Sequence, residues 1–424
     1  MLLEFSVKNF LSFKEKTTFS MEAAIENENE ENIILKDNER ILKTTAIYGA
    51  NASGKTNLIK AFSAAIMMVR LSNSRQLGEK LVQMSAFEFD EKTKNEPSEF
   101  EFVFIANGKK YIYGFSADKD KIYEEYLYSY LSAKPTRIFE RTNCEEYKFL
   151  QSDEAKLKSI KEKNTDNKLF LATATTWNYE KTKDAYLWFA QNIDTYIGGN
   201  FYTDFVFDSF KNDKDGELKK FTLKLLKEAD IVIKDFNVEI EEQEVDNNLL
   251  MLLRSLNVPT QMMPQKQRNV KIRMLHEIKD ERKKSRTYEI NIDNESSGTK
   301  ILFAFAPILK NVMENGKIII VDELERSLHP SLVELIVKFF HNPEINRGNA
   351  QLIFNTHDVN LLSLELFRRD QIWFTEKNSE KGATDLYPLD DFSVRKKENI
   401  QKGYLNGRYG AIPFVATGNS LWED

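Results

Sequence analysis

The 424-residue chain has a single cysteine, Cys144, so no disulfide framework can hold it together. Its four histidines, His276, His329, His341 and His357, show no spacing that would gather a zinc ion. Both absences point to a reducing compartment. No uncharged apolar run reaches the roughly 18 residues expected of a membrane-spanning helix. Met1 to Phe13 alternates apolar and polar residues like a strand and lacks a small-residue cleavage site. The expectation is a cytoplasmic protein that spans no membrane. Sustained heptads are missing, which argues against long coiled-coil arms. Positive charge is not in excess either: 60 Lys and Arg against 66 Asp and Glu give a net charge of −6. That argues against a surface given over wholly to nucleic acid and leaves room for a local basic groove. What is present, 41% hydrophobic and 30% charged residues, suffices for a large core and two structural units.

Leu2 to Ser12 and Phe13 to Met21 read as two strands joined by a turn, because β-formers recur at period two. The acidic, Asn-rich stretch Glu22 to Arg40 reads as an exposed loop or short peripheral element. Thr44 to Tyr48 is a short buried strand, and an apolar-faced helix runs from Thr56 to Val69. Strand signals repeat between Phe87 and Ser129, with Asn107-Gly108 marking a hairpin. Charged helical stretches follow at Asp153 to Lys163, Asp184 to Asn192 and Gly216 to Ala229, then a loop at Asn257 to Asn269. Strands return at Val270 to Glu277 and Thr287 to Ile292, and from Asn294 onward helices alternate with buried strands, the pattern of a sheet covered by helices.

Gly49-Ala50-Asn51-Ala52-Ser53-Gly54-Lys55-Thr56 sits between that buried strand and that helix, the setting of a Walker A phosphate loop. The glycines would let backbone N–H groups turn toward phosphates, Lys55 would reach the β- and γ-phosphates, and Thr56 would ligate Mg²⁺. Asn51, Ser53 and Asn57 complete the expected ATP-binding set. Lys317 to Glu323 is a buried strand ending in two carboxylates, which reads as Walker B: Asp322 for the Mg²⁺ shell, Glu323 as the general base toward water. Glu295-Ser296-Ser297-Gly298-Thr299-Lys300 opens a helix one element ahead of Walker B. It resembles an ABC signature, in which Ser297 and Gly298 would donate N–H groups to a γ-phosphate, although Ser-Ser-Gly is also a common capping turn. Gln351 to His357 is a buried strand ending in a histidine, as in the ABC switch histidine. Ser327, in Ser-Leu-His-Pro, fits a D-loop at a dimer interface, or an N-cap for the helix Ser331 to His341. Gln83 is a candidate Q-loop residue and a further Mg²⁺ contact, or simply part of a loop.

Taken in order, LLEFSVKNFLSF, AIYGANASGKTN, ESSGTK, IIIVDELERSLHP and IFNTHD resemble the RecF/OLD-like branch of ABC-type AAA ATPases. The resemblance is nearest to the stand-alone ATPases of bacterial phage-defence loci, of the RloA, AbiL and PARIS AriA kind. Glu398 to Phe414, with Arg408, Tyr409 and Gly410 central, looks like that group's C-terminal motif. The resemblance covers Met1 to Ala117 and Arg286 to Phe414. It implies an α/β fold: an ABC-type P-loop ATPase with a mixed sheet flanked by helices, an N-terminal antiparallel β subdomain and a mainly helical insertion, divided as residues 1–114, 115–285 and 286–424. It also implies ATP and Mg²⁺ as cofactors and a head-to-tail homodimer or higher oligomer, in which Lys55 and Glu323 of one chain face Ser297 and Gly298 of the other. Two departures stand out: Leu11 occupies a position that is basic in many relatives, and Leu324 replaces a proline common after the Walker B carboxylates.

A nuclease in the same chain is not expected, because only 67 residues follow His357 and they hold no Asp-x-Asp pair. The preferred reading is an anti-phage defence ATPase that acts as a switch or scaffold for a separately encoded effector, a Toprim or RloB-like nuclease. The residues between Phe115 and Lys284 would be its partner-recognition part. The alternative is a RecF-like DNA-binding repair clamp, with Arg282, Lys283, Lys284, Arg286, Arg395, Lys396 and Lys397 as its DNA surface.

Overall fold

A computed structural model of the chain describes residues 1–413 apart from 26–27, 37–38, 131–133, 199–200, 256–262, 264–265, 280–283 and 396–397. The run of β-branched residues at Ile318–Val321 sits inside a six-stranded sheet, in the order Ile193–Tyr196, Ile318–Val321, Gln351–Asn355, Thr44–Gly49, Ile372–Lys377, Thr384–Pro388. The first five strands are parallel and the last is antiparallel. A parallel sheet must be covered on both faces, and here the alternation of side chains divides the core accordingly. Ile318, Ile320 and Ile353 point into one apolar cluster with the helix Lys55–Arg70, while Ile319, Val321 and Phe354 point into another with the helix Ser297–Asn315. Two helices, each carrying one part of the expected site, thus lie on opposite faces of one sheet.

The second layer is a seven-stranded antiparallel sheet, in the order Glu146–Phe149, Pro135–Thr142, Ile122–Tyr130, Lys109–Ala117, Ser98–Ala106, Leu2–Lys8, Thr17–Ser20. Its inner face packs on the helix Lys55–Arg70 through Phe5 stacked on Phe62, ring centroids 3.9 Å apart. The Asn107-Gly108 turn has both residues at positive φ (47° and 73°), the backbone a tight two-residue hairpin needs. Glu22 to Arg40 is less peripheral than expected: it holds a short hairpin strand, Ile33–Lys36, paired with Glu39–Leu42, and a buried Asn32 bonded to Gln371 Oε1 at 2.8 Å.

Residues 115–285 differ from a mainly helical expectation. Three strands from this stretch extend the antiparallel sheet, and two more, Asp235–Glu244 and Lys266–Lys279, pair with Ser285–Asn291 in a three-stranded meander. The physical reason is visible in Ile122–Tyr130, whose aromatic residues at alternate positions (Tyr126, Tyr128, Tyr130) favour a pleated surface over a helix. The expected loop at Asn257 to Asn269 lies largely outside the described residues, and its last four residues belong to the strand Lys266–Lys279. Helices do form at Glu154–Lys161, Glu180–Leu187 and Glu217–Glu228, the last packed along Ser297–Asn315. Among the described residues no helix is long and apolar enough to cross a membrane, and no group of acidic, His or Cys residues forms a ready-made metal cage.

Candidate nucleotide-binding site

The loop begins where the central strand Thr44–Gly49 stops, at the C-terminal edge of the parallel sheet. Two glycines are required by contact. A Cβ at Gly49 would lie 2.5 Å from Ser53 Oγ and from Thr375 O. One at Gly54, whose φ is +116°, would lie 2.3 Å from Thr384 Oγ1. Thr375 and Thr384 belong to the neighbouring hairpin and clamp the loop: Ser53 Oγ lies 2.6 Å from Thr375 Oγ1, and Thr384 Oγ1 donates to Ser53 O at 2.8 Å. Neither threonine carried any sequence signal. Asn51 stands exposed at the crest of the loop.

Lys55 opens the helix Lys55–Arg70, whose first-turn N–H groups have no intrahelical acceptor and so form an anion site. Its side chain is buried and folds back, Nζ donating to Gly49 O at 2.7 Å and Ala50 O at 3.1 Å. Burial lowers the ammonium pKa to about 8, against the opposing pull of Glu325, Glu323 and Asp322. It remains charged at neutral pH. Asn57 instead ties the helix to the N-terminal turn, donating to Ser12 Oγ at 2.8 Å.

Thr56 Oγ1 donates to Asp322 Oδ1 at 2.9 Å, across 266 residues of sequence. A hydroxyl and a carboxylate so placed are a hard, all-oxygen donor pair, which suits Mg²⁺ carried in with phosphate oxygens. Asn355, at the end of its strand, organises both Walker B carboxyl residues: Nδ2 donates to Asp322 Oδ1 at 2.6 Å, and Oδ1 accepts the Glu323 N–H at 2.5 Å. Glu323 holds a left-handed backbone (φ +55°), and its carboxylate has no hydrogen-bond partner among the described residues. It is free to meet a water. His357 N–H donates to Glu325 Oε1 at 2.6 Å, and partial burial of its ring, followed by the nearby Lys55, lowers the imidazole pKa. Both effects favour the neutral ring, against the opposing pull of Glu325, Glu323 and Asp322.

Ser297 and Gly298 stand apart from this group. The helix Ser297–Asn315 is capped by Ser296, whose hydroxyl accepts from Thr299 N at 3.1 Å, so the neighbouring Ser297 hydroxyl has no capping role and is exposed. A Cβ at Gly298 would meet Ser327 O at 3.1 Å and Ser296 Oγ at 3.9 Å, with nothing of the phosphate loop within 4 Å. Gly298 and Ser327 thus lie side by side within one chain. Ser327 does not cap the following helix: His329 does, its Nδ1 accepting from Ser331 N at 3.3 Å, while Ser327 is exposed with φ +61°. Gln83 is on the loop near Ser85, whose carbonyl accepts from Leu11 N. Among the described residues its Oε1 is buried without a hydrogen-bond partner, and no hydrogen bond links it to Thr56 or Asp322. Of the expected basic surface, Arg282, Lys283, Lys396 and Lys397 lie outside the described residues, and Lys284 and Arg286 are already engaged in contacts within the chain.

Sequence reasoning missed Asn355, Glu325, Thr375, Thr384 and Ser12. Asn355 carried a signal, as a polar residue ending an apolar strand, and so did Glu325, a third carboxylate just past the Walker B pair.

Solved structures similar to the chain include an Smc head bound to the C-winged helix domain of ScpA, at 12% identity and TM-score 0.39, covering 91% of this chain and 97% of that one. An Smc head with an extended coiled coil from Pyrococcus furiosus is similar at 11% identity and TM-score 0.40, covering 91% and 96%. CbiO1 from Clostridium perfringens, part of the ABC transporter complex cbiONQ, is similar at 14% identity and TM-score 0.33, covering 96% of each. No curated protein matches. A family model does match, over residues 44–363, from the start of the phosphate-loop strand past His357, and the chain belongs to that family, AAA_21, described as "AAA domain, putative AbiEii toxin, Type IV TA system".

Proposed function

We propose that the chain binds and hydrolyses ATP with Mg²⁺ as a head-to-tail dimer, and that this cycle is a switch for a separate effector. One observation carries the reading: Lys55, Thr56, Asp322, Glu323 and His357 converge at the sheet's C-terminal edge, while Ser297 is exposed and Gly298 lies against Ser327, with nothing of the phosphate loop within 4 Å of a Cβ built on it. A γ-phosphate held by Lys55 would therefore be capped by the exposed helix N-terminus of a second copy. Nucleotide then joins two chains, and loss of the γ-phosphate weakens the joint.

Chemically, Thr56 and Asp322 would hold Mg²⁺, Lys55 would neutralise the β- and γ-phosphates, and Glu323 would take the proton of the attacking water. The test is the mass of the full chain by light scattering, with and without a non-hydrolysable ATP analogue and Mg²⁺. A dimer that forms only with the analogue is expected; turnover by a chain that stays monomeric at every concentration would overturn the composite site.

The wider role we infer is bacterial anti-phage defence, with a Toprim or RloB-like nuclease as effector and residues 115–285 as its recognition part. The family description, which names a toxin of a toxin–antitoxin system, supports a defence setting. So does the packing of the helix Glu217–Glu228, from within that region, along the signature helix Ser297–Asn315, a direct mechanical connection between the two. Co-purification with the product of the adjacent gene, in ATP and ADP states, tests it; no complex in either state would remove the effector from the proposal.

A further inference from the structure

Side chains on the hairpin of Ile372–Lys377 and Thr384–Pro388 alternate between its two faces. One face grips the phosphate loop: Thr375 Oγ1 lies 2.6 Å from Ser53 Oγ, and Thr384 Oγ1 donates to Ser53 O at 2.8 Å. The opposite face carries Phe374, Glu376 and Tyr387, and the segment of residues 400–411 is fastened there. Phe374 stacks on Tyr404 and on Tyr409, with ring centroids 5.5 and 6.0 Å apart. Tyr387 Oη lies 2.9 Å from Tyr409 O and 3.0 Å from Glu376 Oε2, its one proton serving two acceptors. The fit leaves no room for a side chain at Gly410, whose φ is +67°: a Cβ there would lie 2.7 Å from Tyr387 Oη and 2.8 Å from Glu376 Oε2. Tyr404 Oη closes the segment on itself by donating to Ala411 O at 2.9 Å. The motif around Tyr409 and Gly410 is thus fixed to the back of the clamp that holds the phosphate loop.

Thr384–Pro388 is the last strand of its sheet and pairs with a strand on one side only. What packs on its faces therefore decides how firmly it stays in place. We propose that Tyr387 is a positioning residue for ATP binding: by fastening Tyr409 and Gly410 to the back of the hairpin, it keeps Thr375 and Thr384 closed on the phosphate loop. The inference rests on the ATP-binding reading above. Among the described residues the Tyr387 hydroxyl bonds no atom of the phosphate loop, and it acts through the hairpin. Two states follow, one with the segment docked and the loop gripped, the other with the segment lifted and the loop slack. Coupling of this kind is reciprocal: if docking tightens ATP binding, ATP must tighten docking by the same factor.

Tyr387→Phe removes the hydroxyl and keeps the ring beside its cross-strand neighbour Phe374, so the full chain should still fold. By titration calorimetry with Mg²⁺, its affinity for a non-hydrolysable ATP analogue should fall at least about fivefold. Gly410→Ala, which drives a methyl against Tyr387 and Glu376, should weaken binding at least as much. Hydrogen–deuterium exchange gives the reciprocal readout. In the parent, saturating analogue should slow the amides of residues 403–411 at least about fivefold. In Tyr387→Phe without nucleotide the same amides should exchange faster, while the central strand Ile318–Val321 keeps the parent rate. A Tyr387→Phe protein that binds the analogue at parent strength overturns the inference. So does a parent whose residues 403–411 exchange equally fast with and without analogue, or a variant in which Ile318–Val321 also speeds up, the mark of a merely structural tyrosine. If the parent itself binds no analogue, the ATP-binding reading has failed and Tyr387 loses its role with it; parent binding with an unaffected variant condemns the inference alone.

Discussion

Asn355 Nδ2 stands 2.6 Å from Asp322 Oδ1, and through its other side-chain atom the same residue holds the Glu323 amide. One neutral side chain on the neighbouring strand thereby sets the direction of the Asp322 carboxylate, the proposed Mg²⁺ ligand, and the backbone of Glu323, the proposed base. Asn355→Leu should leave the Glu323 N–H unpaired and Asp322 with its Thr56 bond alone, costing about 1–3 kcal/mol in thermal or denaturant unfolding. It should also cut kcat at least about tenfold, with a smaller effect on ATP affinity. Unfolding curves and steady-state kinetics on the same preparation check this; unchanged kcat would mean that Asn355 orders the strand ends only.

Gly54→Ala places a methyl 2.3 Å from Thr384 Oγ1 at a φ of +116°, where L residues are strained. The loop must move off the clamp made by Ser53 and Thr384. Expected are a melting temperature lower by roughly 2–4 °C and ATP affinity weakened at least about tenfold. Binding measured by titration calorimetry at parent strength would show that the loop does not cradle phosphate. Lys55→Ala, which removes the lysine folded across the loop, should abolish measurable binding in the same assay.

Much of this site was legible because its chemistry is written in contiguous residues. The strand before Gly49, the helix after Gly54 and the apolar run before Asp322 each combine a local pattern with a local function. What stayed hidden depends on chain segments that meet only after folding. Thr384 lies 331 residues from Ser53 in sequence, Asn355 33 from Asp322 and Glu325 32 from His357. Nothing about a threonine in an ordinary hairpin marks it as a clamp. The strands Pro135–Thr142 and Glu146–Phe149 were passed over for a related reason: charged residues at 137, 140, 141, 146 and 148 interrupt the apolar alternation that marks a strand.

Glu323→Gln removes the proton acceptor and leaves the Asn355 anchor, which bonds the Glu323 backbone rather than its side chain. Fold and ATP affinity should therefore be retained while hydrolysis slows at least about 100-fold, so that a nucleotide-joined dimer accumulates. Light scattering after incubation with ATP would show it. Near-normal hydrolysis rules Glu323 out as base.

Gly298→Leu tests the split site. The added Cβ would lie 3.1 Å from Ser327 O, so the signature start and the D-loop must separate slightly, with the bulk of the side chain facing outward. ATP binding by the single chain should be unchanged, and turnover should drop at least about tenfold because a second copy can no longer approach the γ-phosphate. Mixing this variant with Lys55→Ala should restore part of the activity, since one composite site would then be intact. No restoration from any mixture would argue against a site shared between chains.

His341 reports on the strand beneath the phosphate loop. It is buried, its Nε2 lies 2.7 Å from Thr44 Oγ1, and Gln371 Nε2 donates to that same hydroxyl at 2.7 Å, so the Thr44 proton is directed to a neutral imidazole. Burial, and then Lys43, push the His341 pKa from 6.5 down to about 3. The folded state therefore refuses a proton that the unfolded chain accepts below pH 6.5, and stability must fall as pH drops from about 6.5 toward 3. Over the step from pH 7 to pH 5 this amounts to about 2 kcal/mol. His341→Gln keeps an acceptor for Thr44 and cannot be protonated, so its unfolding free energy should decline over that step by about 2 kcal/mol less than the parent's. Parallel declines in denaturant melts at the two pH values would mean that protonation of His341 is not what loosens this strand in acid.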